Sequence, residues 1–173
     1  TPADTAWATN DYADIRVLAI RQDALNDVED VKFMLTSSVA AIPTITRDIF
    51  KNVYDNKKWN FAVRIINEKY PIGDSIEGAT YSGSLPATSS RYKLEFYGVN
   101  QTLDVVNEEF FLTEIISTVA GKRALEYPKR LFAGAHRTNF SGTVLQSSDV
   151  KLSNVKYWSS YIPNEVIRAH ARD

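Results

Sequence analysis

Aromatic side chains that could stack on a sugar are the first residues in this chain with a recognisable chemistry. The sequence contains nine tyrosines and three tryptophans. Tyr81 lies in a long segment rich in Gly, Ser, Thr and Pro, Tyr97 lies on the polar side of an alternating strand, and Trp158 ends an apolar run. Aromatic faces beside Asn, Asp and Arg side chains suit a glycan. The competing interpretation is that these rings fill the core of an ordinary β protein, in which aromatic residues are enriched.

A polar cluster around the first histidine gives a second set of candidate ligand-binding residues. His136, Arg137 and Asn139 fall in a predicted loop, and imidazole, guanidinium and amide groups can all hydrogen-bond a polar ligand. A turn residue that bonds nearby backbone is the simpler interpretation of His136. The second histidine, His170, lies near the end of a predicted helix, where its charge suits the helix dipole.

Calcium is the one cofactor that the sequence leaves open. Asp149, Asn139 and Asp55 could supply the loop oxygens that calcium prefers. The simpler interpretation is that these residues form turns and caps, with side chains bonded to nearby backbone. Because the chain has no cysteine, thiolate zinc sites, disulfides and cysteine nucleophiles are excluded. We expect no metal and no other cofactor.

Catalytic motifs are missing from the sequence, and we expect that the protein is not an enzyme. Retaining glycosidases need two carboxyl groups about 5–5.5 Å apart, a spacing that strand residues two apart can supply. Glu108 and Glu109 are adjacent in the sequence, so on a strand they point to opposite faces. The sequence also lacks the nucleophile-elbow, P-loop, dinucleotide-binding and zinc-protease motifs. A hydrolase would need carboxylates from distant segments to meet in a cleft.

Composition and charge indicate one globular domain with no affinity for nucleic acid. The 173 residues carry 20 basic and 21 acidic side chains, a formal net charge of -1. This balance offers no positive surface for DNA, RNA or an anionic membrane, and no apolar run reaches the length of a membrane span. Since the chain begins at Thr1 without a methionine, we expect it to be part of a longer protein with neighbouring domains.

The pattern of apolar residues predicts an all-β domain with one short helix. Residues 1–12 are small and polar and predict a lead-in coil, which leaves 13–173 as the domain. In the segment that begins at Trp59, apolar and polar residues alternate, as in a half-buried strand, and the large ring of Trp59 predicts a wedge between two sheets. Asn107 predicts an irregularity between strands, and Gly134 predicts a close approach of strands. A change of phase near Ser153 predicts a bend in the last strand. The predicted strands are 15–20, 31–36, 42–50, 59–66, 91–97, 103–106, 110–118, 131–135 and 143–158, and the predicted helix is 163–171.

Five segments, in this order along the chain, resemble the concanavalin A-like superfamily, in particular its laminin G-like and pentraxin-like modules. The first is a turn leading into a strand that begins with tryptophan, and the second is an aromatic strand that ends in glycine. A glycine-bearing strand with an asparagine–aromatic turn follows, and a closing strand and a short helix complete the set. These segments are 55–63, 94–99, 132–142, 149–158 and 161–167.

The resemblance implies an antiparallel two-sheet jelly-roll sandwich with a short C-terminal helix. It also implies a non-catalytic recognition module, lectin-like or adhesive, within a larger surface or virion protein. Its partner would then be a glycan or a protein surface, and its location extracellular, on a cell surface or on a virion. The alternative is a purely structural or decoration domain of a multi-domain or viral assembly.

Overall fold

The structure, a computed structural model, describes residues 15–22, 29–37, 42–54, 57–67, 90–126, 131–137, 144–147 and 151–171. This part of the chain is mostly β, as the sequence predicts. It forms two three-stranded antiparallel sheets, a two-stranded ribbon and two short helices. The predicted lead-in coil, residues 1–12, lies outside the described residues.

The first sheet consists of three strands that follow each other in the chain, and its middle strand coincides with the prediction. Along this middle strand Val31, Phe33 and Leu35 are buried, while the residues between them are half-buried. This period of two places one row of side chains toward the core. The strands are β1 (Arg16–Arg21), β2 (Val31–Thr36) and β3 (Ile45–Phe50), in the order β1-β2-β3.

The second sheet is longer and has the same consecutive order. A turn at Leu103 and Asp104 separates its last two strands, so the predicted strand 103–106 is wrong in its first half and is confirmed from Val105, where pairing begins again. The irregularity predicted near Asn107 is confirmed as a bulge, because Asn100 pairs with Glu108 while Gln101 pairs with Val106. The strands are β4 (Trp59–Asn67), β5 (Ser90–Thr102) and β6 (Val105–Ser117).

The two sheets pack face to face through aromatic rings. The ring of Phe33 in β2 lies 4.8 Å from Trp59 and 4.7 Å from Phe61, both in β4, measured between centroids. Phe50 in β3 lies 4.9 Å from Trp59, and Phe110 in β6 lies 5.5 Å from Phe50. The predicted role of Trp59 as a wedge between sheets is confirmed by these contacts. Large rings bury much apolar surface, so this cluster is the main source of cohesion between the sheets.

A glycine in β5 makes room for one ring of this cluster. A Cβ atom on Gly98 would overlap the ring of Phe110 and lie 3.1 Å from Phe61 Cδ1. Phe110 is buried at 3% exposure among other rings and has little space to move. Gly98 therefore serves packing between neighbouring strands, and its position in the core explains why the aromatic strand contains a glycine.

One of the two helices in the described part of the chain was not predicted. Helix α1 (Thr118–Glu126) directly follows β6, where the sequence predicted the strand to continue to residue 118. Ser117 caps its first turn, since the Ala120 N–H donates to Ser117 Oγ over 3.2 Å. Ala120 and Gly121 are buried, and a Cβ on Gly121 would overlap the ring of Tyr92. The helix thus closes one end of the core.

The predicted C-terminal helix is confirmed as α2 (Asn164–Ala171). Its first turn is closed by the carbonyl of Pro163, which accepts from the N–H groups of Val166 and Ile167 at 3.2 Å each. Ile167 and Ala171 are its buried residues. Neither helix in the described part of the chain is long and apolar enough to cross a membrane.

The long closing strand predicted for residues 143–158 is wrong for most of its length. The structure has a two-stranded ribbon of β7 (Ala135–Arg137) and β8 (Val144–Ser147), while residues 151–158 are irregular and exposed. Their alternating pattern lacks a pairing partner among the described strands. Gly134, which precedes β7, has a φ of 74°, a backbone conformation that glycine adopts without strain. Its role is therefore conformational, not the close approach of strands that the sequence suggested.

Candidate functional site

The face of the second sheet that points away from the first sheet carries the buried charged side chains Arg64 and Glu95. Residues 60, 62 and 64 of β4, 95, 97 and 99 of β5 and 109 and 111 of β6 alternate onto this face, which we call the outer face. Helix α2 lies across it. Tyr97 and Val99 form a small buried cluster with Ile167 and Ala171 of the helix.

A buried ion pair lies at the centre of the outer face. Arg64 and Glu95 are directly opposite each other in the β4–β5 register, and Arg64 Nε lies 2.9 Å from Glu95 Oε2. Their side chains are 7% and 5% exposed. The N–H is not directed at the oxygen, so the two atoms form an ion pair without an aligned hydrogen bond. Arg64 Nη1 donates instead to the carbonyl of Ile162 over 2.8 Å, which ties the sheet to the segment before α2.

Three aromatic rings surround the guanidinium of Arg64. Its central carbon lies 5.1 Å from the ring centroid of Tyr161, 5.4 Å from that of Phe111 and 5.9 Å from that of Tyr97. Such contacts favour a cation over an aromatic face. Burial raises the pKa of Tyr161; the charge of Arg64 opposes this, and the charge and hydrogen bond of Glu95 support it. The phenol therefore stays neutral beside the carboxylate.

A second polar group joins α2 to the sheet at Tyr97. The Tyr97 hydroxyl donates to Glu109 Oε2 over 2.9 Å and accepts from Arg168 Nε over 2.9 Å. Arg168 Nη2 also donates to Glu109 Oε2 over 2.6 Å. Burial raises the pKa of Tyr97, with an opposing hydrogen bond from Arg168 and a supporting one to Glu109. The pKa of Arg168 is raised by its hydrogen bonds to Tyr97 and Glu109, so the network joins a neutral phenol to an ion pair.

The structure places Tyr97, which was predicted to stack on a glycan, beneath helix α2. The strand parity was predicted correctly, because Tyr97 lies on the same side as Glu95 and opposite Phe96. That side, however, is covered by α2, and Tyr97 is 1% exposed. Its ring has no free face in this structure, and its hydroxyl is used within the chain.

Trp158 is the predicted aromatic candidate that the structure leaves accessible. Its side chain is 50% exposed, and its ring centroid lies 5.5 Å from that of His170, with 31° between the ring planes. Lys156 Nζ lies 3.5 Å from His170 Nδ1. The neighbouring Tyr157 is 62% exposed. The exposed indole of Trp158, the imidazole of His170 beside it and the ammonium group of Lys156 near that imidazole are candidate ligand-binding side chains, and we call them the Trp158 group.

The remaining predicted site residues lie either on β7 or outside the described residues. His136 and Arg137 lie on β7, where His136 pairs with Gln146 of β8. Tyr81 and Asn139 lie outside the described residues, as do the calcium candidates Asp149 and Asp55. Within the residues that the structure describes, no three His, Asp or Glu side chains lie close enough together to hold a metal ion.

Sequence reasoning missed the residues that hold α2 to the outer face. Arg64 and Glu95 were placed on the polar side of neighbouring strands, which was a usable signal for a cross-strand pair. Glu109 and Arg168 lie 59 positions apart, and no local pattern connects them. The contact depends on how the helix docks, which strand alternation does not encode.

Comparisons with known proteins do not extend this description. No family model, curated protein or solved structure matches the chain. The chemistry open to this protein is therefore inferred from its own surface: a polar outer face covered by α2, and the exposed Trp158 group beside the end of that helix.

Proposed function

We propose that the chain is a non-catalytic recognition module that binds a glycan or a protein surface through the Trp158 group. The observation that carries the proposal is the half-exposed indole of Trp158 beside His170 and Lys156. A flat apolar ring can pack against the C–H face of a sugar. The nitrogen groups of His170 and Lys156 can bond hydroxyl or carbonyl oxygens, as the few polar groups of a binding site do.

The finer fold belongs to the same proposal. We propose a jelly roll of the concanavalin A-like, laminin G-like kind, carried by a longer surface or virion protein outside the cell. Two antiparallel sheets joined through Trp59 and a short helix near the chain's end support it. In each three-stranded sheet the order is consecutive, whereas a jelly roll contains Greek-key connections. The proposal therefore requires such connections beyond the described pairings.

Replacing Trp158 with alanine is expected to weaken binding about tenfold or more, the loss that a tryptophan at the centre of an interface commonly produces. The measurement is binding of the full chain to a broad glycan array, repeated for each hit by calorimetry. Trp158→Phe keeps an aromatic face and should retain part of the affinity. Tyr54→Ala is the matched control, because Tyr54 is 39% exposed and contacts Arg21 of the first sheet instead.

The array is run with calcium and with a chelator. Glycan binding that requires calcium would support Asp55, Asn139 and Asp149 as calcium ligands. Equal binding by the Trp158→Ala and parent chains would exclude the Trp158 group as the binding surface. Absence of any hit under both conditions would count against glycan recognition and leave a protein surface as the partner.

A structural or decoration role is the second candidate, and an exposed sheet edge favours it. Among the described strands β6 pairs with β5 on one side only. Its side chains Phe111 and Ile115 are 42% and 43% exposed. A long edge strand with apolar side chains is a surface on which another chain can add.

Under this second candidate, Ile115→Lys is expected to reduce self-association by about tenfold, because a charge is placed where an apolar contact would form. The measurement is mass by light scattering over a range of chain concentrations. Ile20→Lys is the control, since Ile20 is 38% exposed on β1, an edge of the other sheet. A parent chain that stays monomeric at every concentration would argue against assembly of copies through β6.

A further inference from the structure

The last helix is held to the protein by a small apolar cluster and by several polar contacts. Helix α2 has eight residues, of which Ile167 and Ala171 are buried, while Val166 is 40% exposed. Isolated helices shorter than about 12–15 residues are marginal in water. The helix therefore depends on its docking to the outer face, and its small apolar contact alone gives that docking limited strength.

The polar contacts that complete the docking are of two kinds. Side chains of the sheet donate to backbone carbonyls: the half-buried Asn60 Nδ2 to Ile167 over 3.2 Å, and the buried Arg64 Nη1 to Ile162 over 2.8 Å. The third contact, between Arg168 and Glu109, is accessible to solvent, with side chains 35% and 40% exposed. Water can replace the partners of such a pair, so its breakage has a modest cost.

The segment that leads to the helix gives it freedom to leave. Residues 151–160 have no regular secondary structure, and each of them is exposed. Few buried contacts and exposed backbone are the features of regions that open separately from the rest of a protein. By contrast, residues 94–101 of β5 are all buried, and this strand pairs with β4 and β6 on its two sides.

We propose that residues 161–171 form a detachable cover that opens as a unit while the two packed sheets stay folded. The ion pair of Arg64 with Glu95 joins β4 to β5 and would stay within the sheet, while the contacts of Arg64 with Tyr161 and Ile162 would be lost. The aromatic cluster between the sheets lies on the opposite side of β5. Opening would expose the ring of Tyr97 and Val99, and it would free the donor groups of Asn60 and Arg64 for another acceptor.

The uncovered face would differ from the Trp158 group, and the inference does not rest on the proposed function. It would combine an aromatic ring with an amide and a guanidinium donor, in a position that is closed while α2 is docked. The cover is thus an autoinhibitory contact for that face. Its release also separates His170, which lies in α2, from Trp158, which lies in the exposed segment.

Hydrogen exchange of the full chain, followed by mass spectrometry, tests the cover directly. In the parent chain, amides of 164–171 should exchange faster than those of 94–101. Arg168→Ala should raise the exchange rate in 164–171 by about tenfold, since it removes a charge-assisted hydrogen bond, and leave 94–101 unchanged. Glu109→Gln should act in the same direction with a smaller effect. Arg47→Ala, at an exposed arginine of β3, should change neither region.

In every variant, the exchange rate of the amides in 94–101 shows whether the sheets stay folded. Fast exchange confined to 164–171 supports the cover. Equal protection of the helix and of β5 in the parent chain would overturn it, because the helix would then open only when the whole protein unfolds. The proposal would also be overturned if Arg168→Ala raised the amide exchange rates of 164–171 and of 94–101 by the same factor.

Discussion

Replacing Phe33 with alanine is expected to lower the free energy of unfolding by about 3–5 kcal/mol, the cost of deleting a large buried aromatic side chain. Phe33 is 2% exposed, and its ring contacts Phe50, Trp59, Phe61 and Phe110. The substitution removes the ring that contacts both sheets. It leaves a cavity that the surrounding rings can fill only in part. Urea unfolding followed by tryptophan fluorescence measures the loss.

The neighbouring residue provides the control for this prediction. Met34 follows Phe33 in β2, is half-buried and belongs to the other side of the strand. Met34→Ala should cost clearly less than Phe33→Ala, because its side chain lies outside the aromatic cluster. Equal losses for the two variants would mean that the sheets do not share the core described above. A loss of this size is a large part of the stability of a typical domain, about 5–15 kcal/mol.

Local alternation was sufficient to predict the strands that form this core. In β2 the apolar row is buried, and in β4 the alternating apolar row is half-buried and packs against the same core. Trp59 was identified as a contact between sheets because a large ring at the start of a half-buried strand must pack against something. These features depend on neighbours two positions away, which the sequence shows directly.

Features that depend on partners far along the chain were predicted poorly. Residues 151–158 alternate like a strand, yet the described strands offer them no pairing partner, and they stay exposed. Helix α1 was missed because its docking rests on the small residues Ala120 and Gly121 against Tyr92, which gives no strong apolar periodicity. The turn at Leu103 has a φ of 54°, a conformation that leucine rarely adopts, so the sequence carried no turn signal there.

The candidate site shows the same division between local and distant information. Strand parity predicted Glu95 and Tyr97 on the polar side of one strand and Arg64 on the polar side of another, and the structure brings these two sides onto one face. That this side is covered by α2 depends on Arg168, 71 positions after Tyr97. A polar row on a strand therefore predicts the side that faces away from the apolar core. It does not predict whether water or a helix covers that side.

The covered ion pair gives the second large effect. Replacing Glu95 with leucine is expected to lower the free energy of unfolding by about 3–5 kcal/mol, because Arg64 would be left as an uncompensated buried charge. Arg64 is 8% exposed, and its guanidinium is enclosed by the rings of Tyr161, Phe111 and Tyr97. Water cannot solvate the charge without separating these rings. The measurement is again urea unfolding at neutral pH.

A double variant separates the loss of the pair from the cost of the orphaned charge. Arg64→Met combined with Glu95→Leu removes both charges and keeps apolar volume, so it should recover most of the stability that Glu95→Leu loses. Glu108→Ala is the matched control on an exposed pair, since Lys57 and Glu108 are 29% and 30% exposed, and it should cost no more than about 1 kcal/mol. If Glu95→Leu costs as little as Glu108→Ala, Arg64 reaches solvent and the outer face is not sealed by α2. If the double variant is as unstable as the single one, the pair itself stabilises the fold, and the polar row has a structural role beyond satisfying its own charges.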